Sequence, residues 1–452
     1  MPAFSRYRHL LLGALLGASC VVAPGADAKL TLMHGYADFT SVSLWIMTEA
    51  PGSVDVTWRT DGDQRERALR VETSAAGNRV AVARLTGLVP GGTATYRVTG
   101  DGDRRDGVAR AQAWWTRGAA PRDFTLAIGS CFFVADENPL WGEQDYGGGY
   151  QIFDTIAAAQ PDAMLWLGDT VYLQQPDFLD PASMAARYER QRTFGPLQKL
   201  LTATAHVAIW DDHDYGPNDA DASYVLKGET RTLFQRYWPN PSFGLPGVSG
   251  NFGWIRYGDI DVFLLDGRWF RSANRAPDGP DKTMYGAAQL AWLKNALIHS
   301  RAPVKLIAGG SQFVNRASRF EGWHQFATEQ KNFLAFLANN RIEGVVFLSG
   351  DRHFTELLRV PRAGAYPLYE FTSSPLTSRA WETPEKRERD NPDVVPGTLV
   401  GKRQFGLIRI GGPGPSRKLT LESVDAAGLS LWRHEIPFSE LRYPHASRDA
   451  TE

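Results

Sequence analysis

The sequence predicts an α/β layered domain preceded by an all-β sandwich, and two patterns support this fold class. Residues 29–117 contain short alternating segments such as "VSLWIMT" and "SVDVTWRT", separated by Gly, Pro, Asp and Ser turns. Strands of this length and spacing are typical of an antiparallel sandwich. Beyond residue 120 apolar strands alternate with helical stretches, which indicates an α/β arrangement. We therefore expect a sandwich over 29–118, an α/β domain over 121–440 and a tail over 441–452.

The elements of the α/β domain follow from runs of apolar residues and from helical periodicity. The predicted strands are 124–128, 163–167, 206–209, 262–265, 304–308 and 344–348, and the predicted helices are 150–159, 183–200, 229–237, 287–299 and 329–339. Three further strand patterns, "FGLIRIGG", "RKLTLESVD" and "LSLWRHEI", follow near the end of the chain. We expect them to complete a second sheet of the same domain.

The first 28 residues have the order of a secretory signal peptide. Two arginines precede an apolar run at 10–22, and Ala26-Asp27-Ala28 has the form of an A-x-A cleavage site. A lipid anchor on Cys20 is the rival interpretation, but Gly17 stands where such signals usually have Leu. The leader contains no Arg-Arg pair, so Sec export is the default expectation over Tat. We predict a mature chain that begins at Lys29 and is periplasmic or secreted, with no later membrane helix.

Charge and cysteine content restrict the classes of partner. The chain has 49 Lys and Arg against 50 Asp and Glu, a balance that does not favour binding to nucleic acid or to an anionic surface. Removal of the leader leaves Cys131 as the one cysteine. A lone thiol in an oxidising compartment is a liability unless it is buried or bound.

Side chains of the kind that bind metals follow four strand patterns directly. Each Gly-Asp pair alone is typical of a turn, but in "WDDHD" three carboxylates surround one imidazole and repel one another unless a cation lies among them. Strand ends in α/β sheets bind ligands, so four such ends can meet in one crevice. The sequence therefore predicts a metal site, and the four segments are Gly129-Ser130-Cys131, Gly168-Asp169 with Tyr172, Asp211 to Asp214, and Gly350-Asp351 with His353.

The types of ligand in these segments differ, which indicates more than one metal. Thiolate and phenolate suit iron, whereas carboxylate and amide oxygens suit Ca²⁺, Mg²⁺ or Mn²⁺. Asp169 is the carboxylate that can bridge the two donor classes.

The order "GSC", "GDTVY", "WDDHD" and "SGDRHF", behind a signal peptide and a fibronectin III-like or Ig-like domain, resembles the alkaline phosphatase D (PhoD-like) family of calcineurin-like metallophosphoesterases. The resemblance covers nearly the whole mature chain. It implies a four-layer α/β/β/α sandwich and an enzyme that hydrolyses phosphate mono- or diesters by metal-activated water. It also implies Fe³⁺ together with one or two Ca²⁺.

The resemblance also implies roles for individual residues. Asp169 faces both metals, and Asp212 and Asp351 stand where the wider superfamily has neutral ligands, which favours calcium. His213 is at the position that contacts the phosphoryl group, so His213 and Asp169 are the expected catalytic residues. The implied iron ligands are Cys131, Asp169, Tyr172 and His353.

Two further residues are expected to contact substrate. Asn218, in "DYGPND", is an amide-oxygen ligand or a substrate contact. Arg268, in "LLDGRWFR", either meets charge on the phosphoryl oxygens or pairs structurally with Asp266.

Three other functions are compatible with parts of the sequence. A purple-acid-phosphatase-like enzyme shares the GDxxY motif, but it has a Gly-His-x-His pair where this chain has Asp351. A phospholipase D-type phosphodiesterase fits because 14 tryptophans allow a partly apolar pocket for a lipid as well as for a small ester. A non-catalytic surface binding protein explains the sandwich but not the four ligand-bearing segments. Neither the natural ester nor the oligomeric state follows from the sequence.

Overall fold

The computed structural model of the protein describes residues 29–115, 119–135, 148 and 150–444. The predicted signal peptide and residues 445–452 of the predicted tail lie outside this part of the chain. Within the described ranges, every helix is too short or too polar to cross a lipid bilayer.

Seven antiparallel strands form the N-terminal sandwich. One sheet has the order β1-β2-β5 and the other the order β4-β3-β6-β7. Apolar residues alternate with exposed ones along β3, so one face of that sheet enters the core. The all-β prediction for this region is confirmed, and the strands are β1 Leu30–Ala37, β2 Ser41–Thr48, β3 Gly52–Thr60, β4 Asp63–Thr73, β5 Val80–Thr86, β6 Thr93–Gly100 and β7 Asp103–Arg110.

The α/β part of the chain contains two six-stranded sheets with helices between the strands. Its strands are β8 Phe124–Gly129, β9 Ala163–Leu167, β10 Ala205–Ile209, β11 Gly253–Tyr257, β12 Ile260–Leu264, β13 Val304–Ala308, β14 Val345–Ser349, β15 Thr355–Val360, β16 Leu368–Ser373, β17 Gln404–Gly411, β18 Lys418–Asp425 and β19 Ser430–Pro437. Its helices are α1 Ile152–Ala158, α2 Pro181–Thr193, α3 Gln198–Ala203, α4 Asp212–Tyr215, α5 Lys227–Tyr237, α6 Ala287–His299, α7 Ala327–Asn339 and α8 Lys386–Arg389.

The two large sheets pack face to face. Their orders are β10-β9-β8-β17-β18-β19 and β11-β12-β13-β14-β16-β15. Gly406 of β17 permits a close approach, because a Cβ atom there would come within 2.7 Å of the Phe371 ring on β16. The predicted α/β sandwich is therefore confirmed.

Two predictions about the elements are wrong. The helix predicted over 183–200 is two helices, α2 and α3, joined by a 3₁₀ turn at Gly195–Leu197. Pro196 causes the break, since it has no N–H to donate inside a helix. The three C-terminal strands were expected to complete a second sheet, but β17 pairs antiparallel with β8 and so extends the sheet that begins with β8, β9 and β10.

The N-terminal sandwich is packed directly on the α/β part. The Trp45 indole N–H donates to the backbone oxygen of Arg236 at 2.8 Å, and its ring lies 5.7 Å from that of Tyr237. Trp45 is fully buried. The contact fixes the sandwich against α5, which follows β10 in the α/β part of the chain.

Candidate metal centre

Four predicted ligands stand at strand exits in an unusual backbone conformation. Their φ angles are positive: 58° at Cys131, 48° at Asp169, 65° at Asp351 and 55° at His353. Residues with a Cβ atom rarely adopt this left-handed region, and such conformations cluster at functional sites. Cys131 follows β8, Asp169 follows β9, and both Asp351 and His353 follow β14. The short helix α4 follows β10.

Asp169 connects these segments to one another. Its Oδ2 accepts hydrogen bonds from the Cys131 thiol and the Tyr172 hydroxyl, each at 3.4 Å. Its Oδ1 accepts from the backbone N–H of His213 at 3.3 Å. The thiol and the phenol therefore lie on one side of this carboxylate, and the α4 segment lies on the other.

His353 is linked to the thiol through Ser374. The Ser374 hydroxyl donates to Cys131 Sγ at 3.0 Å, and its oxygen accepts from the His353 backbone N–H at 3.0 Å. The structure thus brings the segment of His353 beside Cys131, although the two residues are far apart in the sequence.

Acidic side chains converge in two overlapping groups. Asp169, Asp212 and His213 each present one possible ligand atom within 4.8 Å of the others. A second group has the same spacing and consists of Asp211, Asp212, Glu321 and Asp351.

Three oxygens of the second group are buried without a hydrogen-bond partner among the described residues. They are Asp211 Oδ2, Asp212 Oδ1 and Asp351 Oδ2. Arg268 lies 3.5 Å from the Asp212 oxygen and pairs with the other oxygen of Asp211 at 2.5 Å. Buried carboxylate oxygens are costly unless they are paired or bind a cation. The donor set therefore fits hard metal cations, in agreement with the metal ions that the fold class implies.

The acidic groups of the site repel one another unless a cation is bound. Burial and the nearby carboxylates raise the pKa of Asp169 well above its usual range, and burial raises the pKa of Asp351 to about 7. Burial and the charge of Asp169 likewise raise the pKa values of the Cys131 thiol and the Tyr172 phenol. Asp212 differs, because Arg268 and His213 outweigh its burial and hold its pKa below the usual range. Bound cations would favour the anionic form of all these groups.

The two predicted substrate contacts occupy different environments. Asn218 is exposed, and its Nδ2 donates to Asp219 Oδ1 at 2.9 Å. The Asp219 backbone N–H donates to Asp212 Oδ2 at 2.9 Å, so Asn218 lies next to a residue that holds the acidic group.

Arg268 is enclosed by protein with 0% of its surface exposed. Its Nε donates to Asp211 Oδ1 at 2.5 Å, and its Nη1 donates to Glu321 Oε2 at 3.1 Å. Asp266 accepts the backbone N–H of Arg268 at 2.9 Å, not the guanidinium. The structure therefore places the Arg268 side chain neither at an open surface where it could meet substrate nor on Asp266. Its guanidinium holds the acidic group together.

We predict that Arg268→Met destabilises the protein by about 3–5 kcal/mol, because it leaves buried carboxylates without their counter-charge. Urea denaturation followed by tryptophan fluorescence measures this change. Arg70→Met is the matched control, since Arg70 pairs with Asp55 at the surface, and its midpoint should equal that of the wild type. Equal midpoints for the two variants would show that Arg268 does not hold the site.

The carboxylates of "WDDHD" divide between two tasks. Asp214 accepts the backbone N–H groups of Thr170 at 2.9 Å, Val171 at 3.1 Å and Asp211 at 2.9 Å. It therefore ties the loop after β9 to the start of α4, whereas Asp212 presents an oxygen to each acidic group. His213 is partly exposed, and its ring stacks on that of Tyr172 at 4.2 Å.

Sequence reasoning missed two residues of this site. Glu321 belongs to the second acidic group, and Ser374 links Cys131 to His353. Neither follows a Gly-Asp strand exit. The only available signal for Glu321 was a carboxylate between aromatic residues in "RFEGWHQF".

Comparisons with known proteins show which family and which solved structures the chain resembles. The profile of the family described as PhoD-like phosphatase matches residues 139–406. No curated protein sequence matches the chain. A solved structure described as "Structure of PhoD" has a TM-score of 0.72 and 18% identity, over 92% of this chain and 93% of that chain. Purple acid phosphatase PPD1 from yellow lupin (Lupinus luteus) seeds has a TM-score of 0.65 and 10% identity, over 92% of this chain and 76% of that chain.

The two solved structures show the fold, and the family profile covers more than half of the 452 residues. The prediction of an enzyme is confirmed, and the non-catalytic surface binding protein is excluded. The chain belongs to the PhoD-like phosphatase family and is a hydrolytic phosphoesterase.

Proposed function

We propose that the protein is an exported phosphoesterase that hydrolyses phosphate mono- or diesters by metal-activated water, with Asp169 bridging two kinds of cation. The contacts of Asp169 carry this proposal. One carboxylate oxygen meets a thiol and a phenol, and the other meets the segment that holds Asp212 and His213.

The donor types support one Fe³⁺ and one or two Ca²⁺. Cys131, Asp169 and Tyr172 would hold the iron together with His353, because thiolate and phenolate prefer a transition metal. Asp212 and Asp351 would hold calcium with Asp169, because they offer hard oxygens. Such cations lower the pKa of water and neutralise charge on phosphoryl oxygens when they are bound.

The side chains of the protein orient the ester in this proposal. Water gives up one proton and forms the new bond to phosphorus, the ester P–O bond breaks, and the alkoxide leaves from the opposite side and takes up one proton, so that an alcohol and a phosphate are released. His213 would donate a hydrogen bond to a phosphoryl oxygen, and its partial exposure and the stacking of its ring on Tyr172 support this role. Asn218 is exposed in the next loop and is assigned to a metal or a substrate oxygen.

Tyr172→Phe tests the assignment of iron. A phenol has a reference pKa near 10, and a trivalent cation displaces its proton far better than Ca²⁺ does. We expect the iron-loaded wild type to show a visible tyrosinate-to-iron band and the variant to lose it, with the circular dichroism spectrum unchanged.

Tyr257→Phe is the matched control for this variant, because it also removes a tyrosine hydroxyl that donates a hydrogen bond, here to the backbone oxygen of Asp162 at 3.2 Å and not to a predicted metal ligand. Its visible band should equal that of the wild type. An unchanged band in iron-loaded Tyr172→Phe would show that the phenol only packs against its neighbours.

The class of ester separates the remaining alternatives. Hydrolysis of a panel of monoesters, diesters and phospholipids, with and without bound metals, tests the proposed function directly. Preference for phospholipids would favour the phospholipase D-type alternative. The purple-acid-phosphatase-like alternative has the support of a shared fold, but Asp351 replaces a histidine expected in that class.

Export, domain limits and partners complete the proposal. The signal peptide over 1–28 would direct the chain to the periplasm or the medium, and cleavage before Lys29 is checked by N-terminal sequencing of the exported protein. The sandwich over 29–118 and the phosphoesterase domain over 121–440 would act without a nucleic-acid partner. The substrate would be a small-molecule or lipid phosphate ester.

A further inference from the structure

Trp381 joins the two loops that flank the second acidic group. Its backbone N–H donates to the carbonyl oxygen of His353 at 2.9 Å. Its ring meets that of Phe320 edge to face, with centroids 5.1 Å apart and planes at 82°. Phe320 directly precedes Glu321, a member of the acidic group. The indole therefore lies beside the candidate metal centre, although it contributes no ligand.

The Phe320 ring is held in place by neighbouring cations and a backbone contact. The guanidinium groups of Arg352 and Arg319 lie over it at 4.4 and 4.9 Å. The Phe320 backbone N–H donates to Ser318 Oγ at 3.1 Å, and Arg352 is itself paired with Glu388 at 3.1 Å. Phe320 is thus a fixed support for the indole.

The Trp381 side chain is only partly buried, so part of its aromatic surface is open to solvent next to a site lined mainly by charged groups. Carboxylates and an imidazole can bind cations and a phosphoryl group, but they do not distinguish one ester alcohol from another. An aromatic surface beside them would do so, because it stacks on planar apolar groups.

We propose that Trp381 is a specificity-determining residue that stacks on the organic group of the ester, so that the enzyme prefers phosphate esters of planar aromatic alcohols to those of small alkyl alcohols. This proposal rests on the proposed phosphoesterase function. The indole surface of Trp381 would select the substrate class. It is supported by Phe320 and adjoins the loops of Glu321 and His353.

The test compares two primary alkyl phosphates, 2-naphthylmethyl phosphate and ethyl phosphate, whose leaving alcohols differ mainly in the ring. Trp381→Ala should raise the KM for the naphthylmethyl ester about three- to tenfold, the range expected for one aromatic pair. The KM for ethyl phosphate and both kcat values should remain those of the wild type. Trp381→Phe should restore most of the preference, which a general structural defect would not allow.

Trp254→Ala is the matched control, because Trp254 is an indole 46% exposed on β11 and outside the metal-binding segments. Both KM values should be unchanged in it. An equal effect of Trp381→Ala on the two esters, or no effect, would overturn the proposal.

Failure of the proposed function itself is distinguishable from failure of this inference. If the metal-loaded wild type hydrolyses neither these two monoesters nor any diester or phospholipid of the panel, the proposed function fails, and binding then decides the role of Trp381. Isothermal titration with 2-naphthylmethylphosphonate and ethylphosphonate should show weaker binding of only the first in Trp381→Ala. Equal affinities of the wild type and the variant for the naphthyl compound would exclude stacking on Trp381.

Discussion

Asp169→Asn should lower kcat by at least about a thousandfold, on the scale of losing metal-assisted attack. Asp169 is 2% exposed and receives hydrogen bonds from Cys131, Tyr172 and His213. An amide of the same size keeps most of this packing but loses the negative charge that would hold two cations at once. Steady-state kinetics together with elemental analysis of the purified variant measures both losses.

Asp180→Asn is the matched control for this substitution. It makes the same change of charge at an exposed residue, the N-cap of α2, whose side chain accepts the Ala182 N–H at 3.0 Å. Asparagine is an equally good N-cap, so activity should stay within about twofold of the wild type. If Asp169→Asn keeps more than about a tenth of the wild-type rate with a normal fold, Asp169 does not bridge the metals.

Removal of calcium should abolish activity while the iron remains bound. Carboxylate oxygens hold Ca²⁺ in a more exchangeable site than thiolate and phenolate provide for iron. Dialysis against a calcium-selective chelator should therefore yield an inactive protein that keeps its visible band. Added Ca²⁺ should restore the rate.

A parallel dialysis with the chelator already saturated with Ca²⁺ controls for loss of protein during handling. Elemental analysis must confirm that calcium has left the sample and that iron has not. Unchanged turnover in protein that verifiably lacks calcium would refute the mixed-metal proposal. Loss of iron along with calcium would show that calcium is not bound more exchangeably than iron.

The location of the candidate site could be predicted because its main residues follow strands directly. The strand patterns before Cys131, Asp169 and Asp351 are local runs of apolar residues, and the structure confirms a strand before each of them. Parallel strands β8, β9 and β10 end at the same edge of a sheet, so the residues that directly follow these strands lie close together. Helix α6 was predicted at its observed limits for the same reason, since its periodicity is a local property.

Contacts between distant segments could not be predicted in this way. β17 extends the sheet of β8, although its largely buried apolar pattern would suit either sheet, because pairing depends on which apolar faces pack together. Glu321 occurs in a loop without a distinctive motif, and Arg268 was expected to contact substrate or Asp266 but pairs with Asp211 and Glu321.

Local sequence patterns therefore determine the class of the fold, the family motifs and the strand exits that carry the predicted ligands, because short-range periodicity and residue type specify them. The tertiary structure alone decides the assembly of those exits into one centre. It encloses Arg268 among carboxylates and makes Asp214 an acceptor of backbone N–H groups. It also places Ser374 between Cys131 and His353. These roles arise from long-range packing and from burial, which changes the energy of a charge according to what surrounds it.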